Sequence, residues 1–219
     1  MNIIEYGNNW FIEDQLDNEL LNDIKNFFDK NLEFLYADKE GYSTMGDAEQ
    51  YWIKKRGNKF FHYKNEEYED IEKKFKKQIY GRLKAASFLN NDTQLSQSTA
   101  WTIIGEEGSY HAIHTHNVSR MSGVSVVLYL NVPDIKHLNI SDSNHNPNSL
   151  YLVLHTDPSS DFINVACPGI HLIDPEVGKV LIFPFHIPHG TFPQTKGIRQ
   201  TFNIDYEFSL KSKSPLNYS

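Results

Sequence analysis

After Asn90 the sequence loses helical character and does not regain it. Segments 98–104 (STAWTII), 109–116 (SYHAIHTH), 123–132 (GVSVVLYLNV), 150–155 (LYLVLH), 162–166 (FINVA), 179–185 (KVLIFPF) and 199–208 (RQTFNIDYEF) are short, β-branched and aromatic, as strands on a pleated, half-buried surface need to be. Turn formers separate them: Glu106-Glu107-Gly108, the stretch 141–149 (SDSNHNPNS), 157–161 (DPSSD), and Pro193 to Gly197. No helix-length pattern stands between these strands. A parallel sheet, which needs helical crossovers, is therefore disfavoured, and an antiparallel sandwich or barrel is expected.

The first ninety residues read differently. Leu16, Leu20, Ile24, Phe27 and Phe28 recur at helical spacing, with Asp17 placed to cap the start. A second helix is expected through Tyr68, Ile71, Phe75, Ile79, Leu83 and Ala86. There Glu66 and Glu67 lead and Lys73, Lys74 and Lys77 follow, the order the helix dipole favours. Residues 31–63 hold Tyr36, Tyr42, Tyr51, Trp52, Phe60 and Phe61 without a readable period. They are expected to be irregular, either packing their rings on the core or forming a lid or binding loop. The expected plan is a mainly β (α+β) chain forming one domain over 1–219. A helical and irregular layer (1–92) packs on a β core (93–210), with a tail (211–219).

Composition narrows the class of function. With 39% hydrophobic and 13% aromatic residues the chain can bury a sizeable core, which excludes global disorder. A net charge of -7 argues against a dedicated nucleic-acid binder, and Lys54, Lys55, Arg56 and Lys59 are expected to be a solvated loop. No run approaches the ~18 apolar residues of a membrane span. The opening MNIIEYGNNWFIEDQ has no basic segment leading an apolar one, so a secretory leader is not expected. The single Cys167 excludes an intrachain disulfide framework and a multi-cysteine zinc site. A cytoplasmic protein is expected, and the aromatic strands suit a homodimer face.

The histidines are clustered. His111, His114 and His116 fall within six residues. On an extended segment, residues two apart share a face, so His114 and His116 can present two imidazoles to one point while His111 faces the opposite way by parity, unless it lines the pocket mouth or hydrogen-bonds a ligand. That is half of a site for a metal such as Fe(II), Mn(II) or Zn(II). His189, in LIFPFHIPHG, sits where an apolar strand turns into a loop and can reach an internal cavity. Ten residues on, Arg199 opens a strand of apolar and small residues. A buried guanidinium needs an anion, and its fork suits a carboxylate. Thr201 lies on the same face and can donate to that anion. The alternative is that Arg199 points to solvent or pairs with Asp205. A rival metal motif is His155-Thr156-Asp157, the only His-x-Asp in the chain.

In this order His114-Thr115-His116, His189 and Arg199-Gln200-Thr201 resemble the signature of the iron(II)- and 2-oxoglutarate-dependent dioxygenases. Several local features point to a branch related to the prolyl hydroxylases: Trp101 before Gly108, Ser122-Gly123-Val124 and Tyr129-Leu130 after His-x-His, Asp157-Pro158, and Phe183-Pro184 leading to His189-Gly190. The resemblance covers roughly residues 98–208. It implies a double-stranded β-helix, the cupin-like jelly roll, with N-terminal helices packed on the sheet. It implies Fe(II) held by His114, His116 and His189, and 2-oxoglutarate as cosubstrate anchored by Arg199, Thr201 and Tyr129. It also implies O2 as oxidant and hydroxylation of a small-molecule or peptide substrate. One departure matters: His116 stands where the family usually has a carboxylate. Two other readings remain open, a cupin-like three-histidine metalloenzyme that does not use 2-oxoglutarate and a jelly-roll module without activity.

Overall fold

The computed structural model describes residues 1–6, 9–37, 42–45, 48–54, 66–116, 122–133, 148–154 and 169–210. In chain order these form β1 (Asn2–Tyr6), β2 (Asn9–Gln15), α1 (Asn18–Ala37), β3 (Tyr42–Met45), β4 (Ala48–Lys54), α2 (Glu66–Ala85), β5 (Thr93–Gly105), β6 (His111–His114), β7 (Gly123–Asn131), β8 (Leu150–Val153), β9 (Ile170–Ile173), β10 (Lys179–Pro184), β11 (His189–Thr191) and β12 (Arg199–Leu210). The larger sheet runs β1-β2-β10-β7-β12-β5-β4-β3 and the smaller β6-β11-β8-β9. Every pairing among the described residues is antiparallel, as the missing crossovers predict.

Period-two alternation sorts the larger sheet's side chains into two cores. Val124, Val126 and Leu128 of β7, Val180 and Ile182 of β10, and Phe202, Ile204 and Tyr206 of β12 join Ile24, Phe28, Ile71, Phe75 and Ile79 of the helices. The residues between them, Val127, Tyr129, Leu181 and Phe183, face the smaller sheet and pack with Leu150, Leu152 and Ile173. The two sheets thus face one another, with both helices on the outer face of the larger. No helix among the described residues is long and apolar enough to cross a membrane.

The start of α1 and the end of α2 follow from their sequences. Asp17 Oδ1 accepts from the amides of Glu19 (3.0 Å) and Leu20 (3.3 Å), capping α1. α2 buries Tyr68, Ile71, Phe75, Ile79 and Leu83, the stripe the sequence predicts. It stops at Ser87, whose φ of 63° lies in the left-handed region. The amides of Ser87 and Phe88 turn back onto the carbonyls of Lys84 and Leu83 (3.0 and 2.9 Å), the Schellman arrangement that satisfies a helix end. Phe88 then stacks on Trp10 at 3.8 Å.

Two expectations need correction. The chain opens with β1 and β2 rather than directly with a helix. Phe11 faces the inter-sheet core and Ile12 the helical side, so β2 is buried on both faces and shows no alternation to read. Residues 31–63 are not irregular throughout. α1 continues to Ala37, and β3 and β4 extend the larger sheet beyond β5, with Tyr51 and Ile53 turned into the helix-side core. The expected strand 162–166, the rival motif His155-Thr156-Asp157 and Cys167 lie outside the described residues.

Candidate metal centre

β12 has one apolar face and one polar face. Phe202, Ile204 and Tyr206 meet the helices, while Arg199, Thr201 and Asn203 line a cavity between the sheets and Asp205 continues their row. Inter-sheet faces are ordinarily apolar, and unpaired burial of polar groups is costly, so a row of four buried polar residues marks a site.

The histidines come from the smaller sheet. His114 of β6 is directly opposite His189 of β11. His116 lies just past β6, its amide donating to the Phe185 carbonyl at 2.9 Å. One ring nitrogen from each of these three residues lies within 4.8 Å of the others. The rings are oriented from behind. His114 Nδ1 donates to the Ala112 carbonyl (2.8 Å) and His189 Nδ1 to the Ile187 carbonyl (3.0 Å). His116 Nδ1 meets both oxygens of Asp205 at 2.8 and 3.0 Å. With each Nδ1 used as a donor, each Nε2 keeps its lone pair.

The Nε2 atoms of His114 and His116 are 3.1 Å apart. Two lone pairs that close repel unless a cation lies against both. Two nitrogens bound at right angles to one metal at about 2.1 Å would be separated by about 3.0 Å. The donor set therefore fits a divalent transition metal, for which imidazole is a suitable ligand.

His111 lines the cavity, against the expectation from strand parity alone. Simple alternation turns it away from His114, yet its ring meets that of His114 edge-on at 4.5 Å and lines the same cavity. The cause is a bulge. Thr191 and His189 of β11, two residues apart, pair with His111 and His114 of β6, three apart. The extra residue reverses parity and brings both rings to one side. The Gln50 amide donates to His111 Nε2 at 2.5 Å, so β4 reaches the site as well. Gly190 lets the strands approach: a Cβ there would meet the Tyr151 ring and the His111 carbonyl.

Arg199 is 2% exposed. Its guanidinium donates to the Asn148 carbonyl (3.3 Å) and to Thr191 Oγ1 (2.9 Å), both neutral. Among the described residues no carboxylate pairs with it. The expected alternative of an Arg199–Asp205 pair is therefore corrected, since Asp205 is held by His116, Ser125 and Thr99. Tyr129 is paired with Thr201 across β7 and β12, and its buried hydroxyl has no hydrogen-bond partner among the described residues. An uncompensated guanidinium and an orphaned phenol in one cavity fit a bound carboxylate.

Burial depresses the basicity of several rings. Desolvation takes His111 to about 3 and His114 to about 4, and holds His189 well below the ordinary imidazole value of 6.5. Below pH 6.5 the unfolded chain takes up protons that these folded rings refuse. Their contribution to stability is thus complete above 6.5 and is lost as the pH falls toward 3–4. The urea midpoint of metal-free protein is expected to fall between pH 7.5 and pH 5; an unchanged or rising midpoint contradicts the assignment of neutral, buried rings.

Thr191, Ser125 and Gln50 were not foreseen as site residues. Isolated hydroxyl and amide residues in strands carry no spacing signal. For Asp205 the only hint was its place in the odd-numbered row from Arg199.

Comparison with known proteins relates the strands of this site to one family. Residues 99–205 match the family described as "Putative 2OG-Fe(II) oxygenase". No curated protein matches the chain in sequence. Among solved structures, a prolyl-4-hydroxylase from Pseudomonas putida is similar at 13% identity, over 90% of this chain and 91% of that one, with a TM-score of 0.54. A prolyl hydroxylase from Trichoplax adhaerens, solved with a hypoxia inducible factor oxygen degradation domain peptide fragment, is similar at 15% identity over 90% and 83%, TM-score 0.55. A 2OG-Fe(II) oxygenase family oxidoreductase from Burkholderia pseudomallei is similar at 13% identity over 91% and 84%, TM-score 0.57. At such identities the structural likeness is one of fold, and it identifies the two facing sheets as the jelly roll of these enzymes. The sequence match covers just under half of the chain and spans the strands that carry every histidine of the cluster and Arg199, so over that stretch the chain is similar to this oxygenase family.

Proposed function

We propose that the protein is an Fe(II)- and 2-oxoglutarate-dependent oxygenase that hydroxylates a small-molecule or peptide substrate. In this reading His114, His116 and His189 hold the iron. Arg199 holds the far carboxylate of 2-oxoglutarate, with Tyr129 and Thr201 beside it. One observation carries the reading: three imidazole lone pairs converge within 4.8 Å in the same cavity that buries a guanidinium with no carboxylate partner among the described residues.

When bound, iron with 2-oxoglutarate and O2 supplies the oxidising chemistry, which turns the cosubstrate into succinate and CO2 as the substrate is hydroxylated. The chain's own residues bind and orient. The Nδ1 bonds of the three rings fix which nitrogen faces the metal. The Arg199 fork can take a carboxylate in two parallel bonds and so set the cosubstrate's direction. The Tyr129 hydroxyl gains the partner it lacks. Trp101, Ile103, Val127 and Leu150 wall the cavity with apolar surface, which keeps water from the reacting groups.

The competing reading, a three-histidine metalloenzyme without 2-oxoglutarate, leaves the buried Arg199 charge with only neutral partners among the described residues. Incubation of iron-loaded protein with 2-oxoglutarate and O2 separates the two. Slow succinate formation without substrate is expected, and it disappears when iron or O2 is withheld. Tight iron binding with no succinate under any condition favours the cupin-like enzyme.

A further inference from the structure

The metal centre as read above carries no negative charge of its own. Its three ligands are neutral imidazoles, Arg199 adds a cation to the same cavity, and among the described residues lining that cavity there is no carboxylate. A dication there would face apolar walls and a second positive charge. We infer that Asp205 acts as the positioning residue that corrects this: through His116 it supplies the carboxylate charge the centre lacks and selects the ring form that can bind metal. The inference rests on the proposed function and names a residue outside the ligand set.

The geometry is specific. Asp205 stands behind His116 on the Nδ1 side, at 2.8 Å through Oδ1 and 3.0 Å through Oδ2. It is not a fourth ligand, because it falls outside the group whose donor atoms lie within 4.8 Å of one another. Two further donors hold it there: Ser125 Oγ gives its proton to Oδ1 at 2.9 Å, and Thr99 Oγ1 to Oδ2 at 3.0 Å. Those residues come from β7 and β5, the two strands flanking β12. Three strands of the larger sheet therefore fix one carboxylate against a ring carried by the smaller sheet's loop. His114 and His189 receive only backbone carbonyls in the same position.

The physical consequence follows from the ring's two nitrogens. A carboxylate accepting from Nδ1–H excludes the tautomer with the proton on Nε2 and raises the donor strength of the Nε2 lone pair. A charge one ring away also offsets part of the cation's charge in a poorly solvated cavity. His116, the residue that departs from the usual carboxylate ligand, thus has a carboxylate joined to it from behind.

Asp205→Asn tests this with little change of shape, since the amide oxygen can still accept from Nδ1 while the charge is gone. Metal-free parent and variant are titrated anaerobically with Fe(II) and, separately, with Co(II), followed by calorimetry and by the Co(II) absorption spectrum. The variant is expected to bind each ion about 10- to 100-fold more weakly, the range for loss of such an outer partner, and to show an altered Co(II) spectrum. Equal affinities and superimposable spectra overturn the inference. Long-range proton–nitrogen correlation on 15N-histidine-labelled, metal-free parent gives a second reading that needs no variant to fold. His116 is expected with its proton on Nδ1 alone, and a proton on Nε2 overturns the inference. Neither readout depends on turnover. Absence of succinate from the parent would defeat the oxygenase reading and leave the metal-affinity and tautomer results standing.

Discussion

Replacing His189 with alanine is expected to abolish stoichiometric iron binding and all iron-dependent succinate formation. Losing an outer partner of a metal ligand typically weakens binding by about 10- to 100-fold. Loss of a ligand itself should exceed that, so a decrease of at least about a hundredfold is predicted. His189 is 5% exposed and packs its ring on Phe183 at 4.6 Å, so alanine also leaves a small cavity. The thermal midpoint of metal-free protein is expected to fall modestly for that reason. A folded His189→Ala protein that takes up one iron as tightly as the parent would remove His189 from the ligand set. His114→Ala serves as the companion, since its ring lies 4.2 Å from that of His189 and should produce the same loss.

The second large effect concerns Arg199, and there affinity and stability are predicted to separate. Arg199→Met removes a buried guanidinium whose partners in the described structure are a backbone carbonyl and a threonine hydroxyl. Truncating one side of a buried charge pair costs about 2–5 kcal/mol of binding, or roughly 30-fold to a few thousand-fold in affinity. 2-Oxoglutarate binding, measured on the Mn(II)-loaded protein to prevent turnover, is expected to weaken by that factor. The metal-free protein is expected to keep its thermal midpoint or gain a little, because desolvating an unpaired cation is unfavourable and an apolar side chain avoids it. Unchanged 2-oxoglutarate affinity would show that the anchor lies elsewhere.

These two residues were legible from the sequence because each has a signature that survives without coordinates. His189 follows an apolar strand and precedes a glycine, and Arg199 opens a strand of apolar and small residues. The helix spanning Glu66–Ala85 was equally plain, since Tyr68, Ile71, Phe75, Ile79 and Leu83 form one uninterrupted stripe. What was not legible shares a physical cause: it depends on pairings between distant segments. β2 is buried on both faces, Phe11 in the inter-sheet core and Ile12 on the helical side, so its sequence shows no alternation. β4 gains its strand character by pairing with β5, and β3 by pairing with β4. The turn of His111 into the cavity comes from a bulge in the β6–β11 ladder, invisible in YHAIHTH alone. Asp205 meets His116 across 89 residues of chain, and nothing local to either residue announces the other.

The polar face of β12 links these observations. Arg199, Thr201, Asn203 and Asp205 occupy alternate positions of one strand whose other face is the apolar Phe202, Ile204 and Tyr206. One strand thus presents the buried Arg199 guanidinium at one end and the carboxylate behind His116 at the other, with helix packing behind it to hold both in register.

Crystals grown anaerobically with Fe(II) and 2-oxoglutarate, measured at the iron absorption edge, test the central claim most directly. The account predicts one anomalous peak in contact with Nε2 of His114, His116 and His189, and a dicarboxylate whose far end lies on the Arg199 guanidinium. An iron peak away from these three rings, or a 2-oxoglutarate that leaves Arg199 untouched, would contradict it.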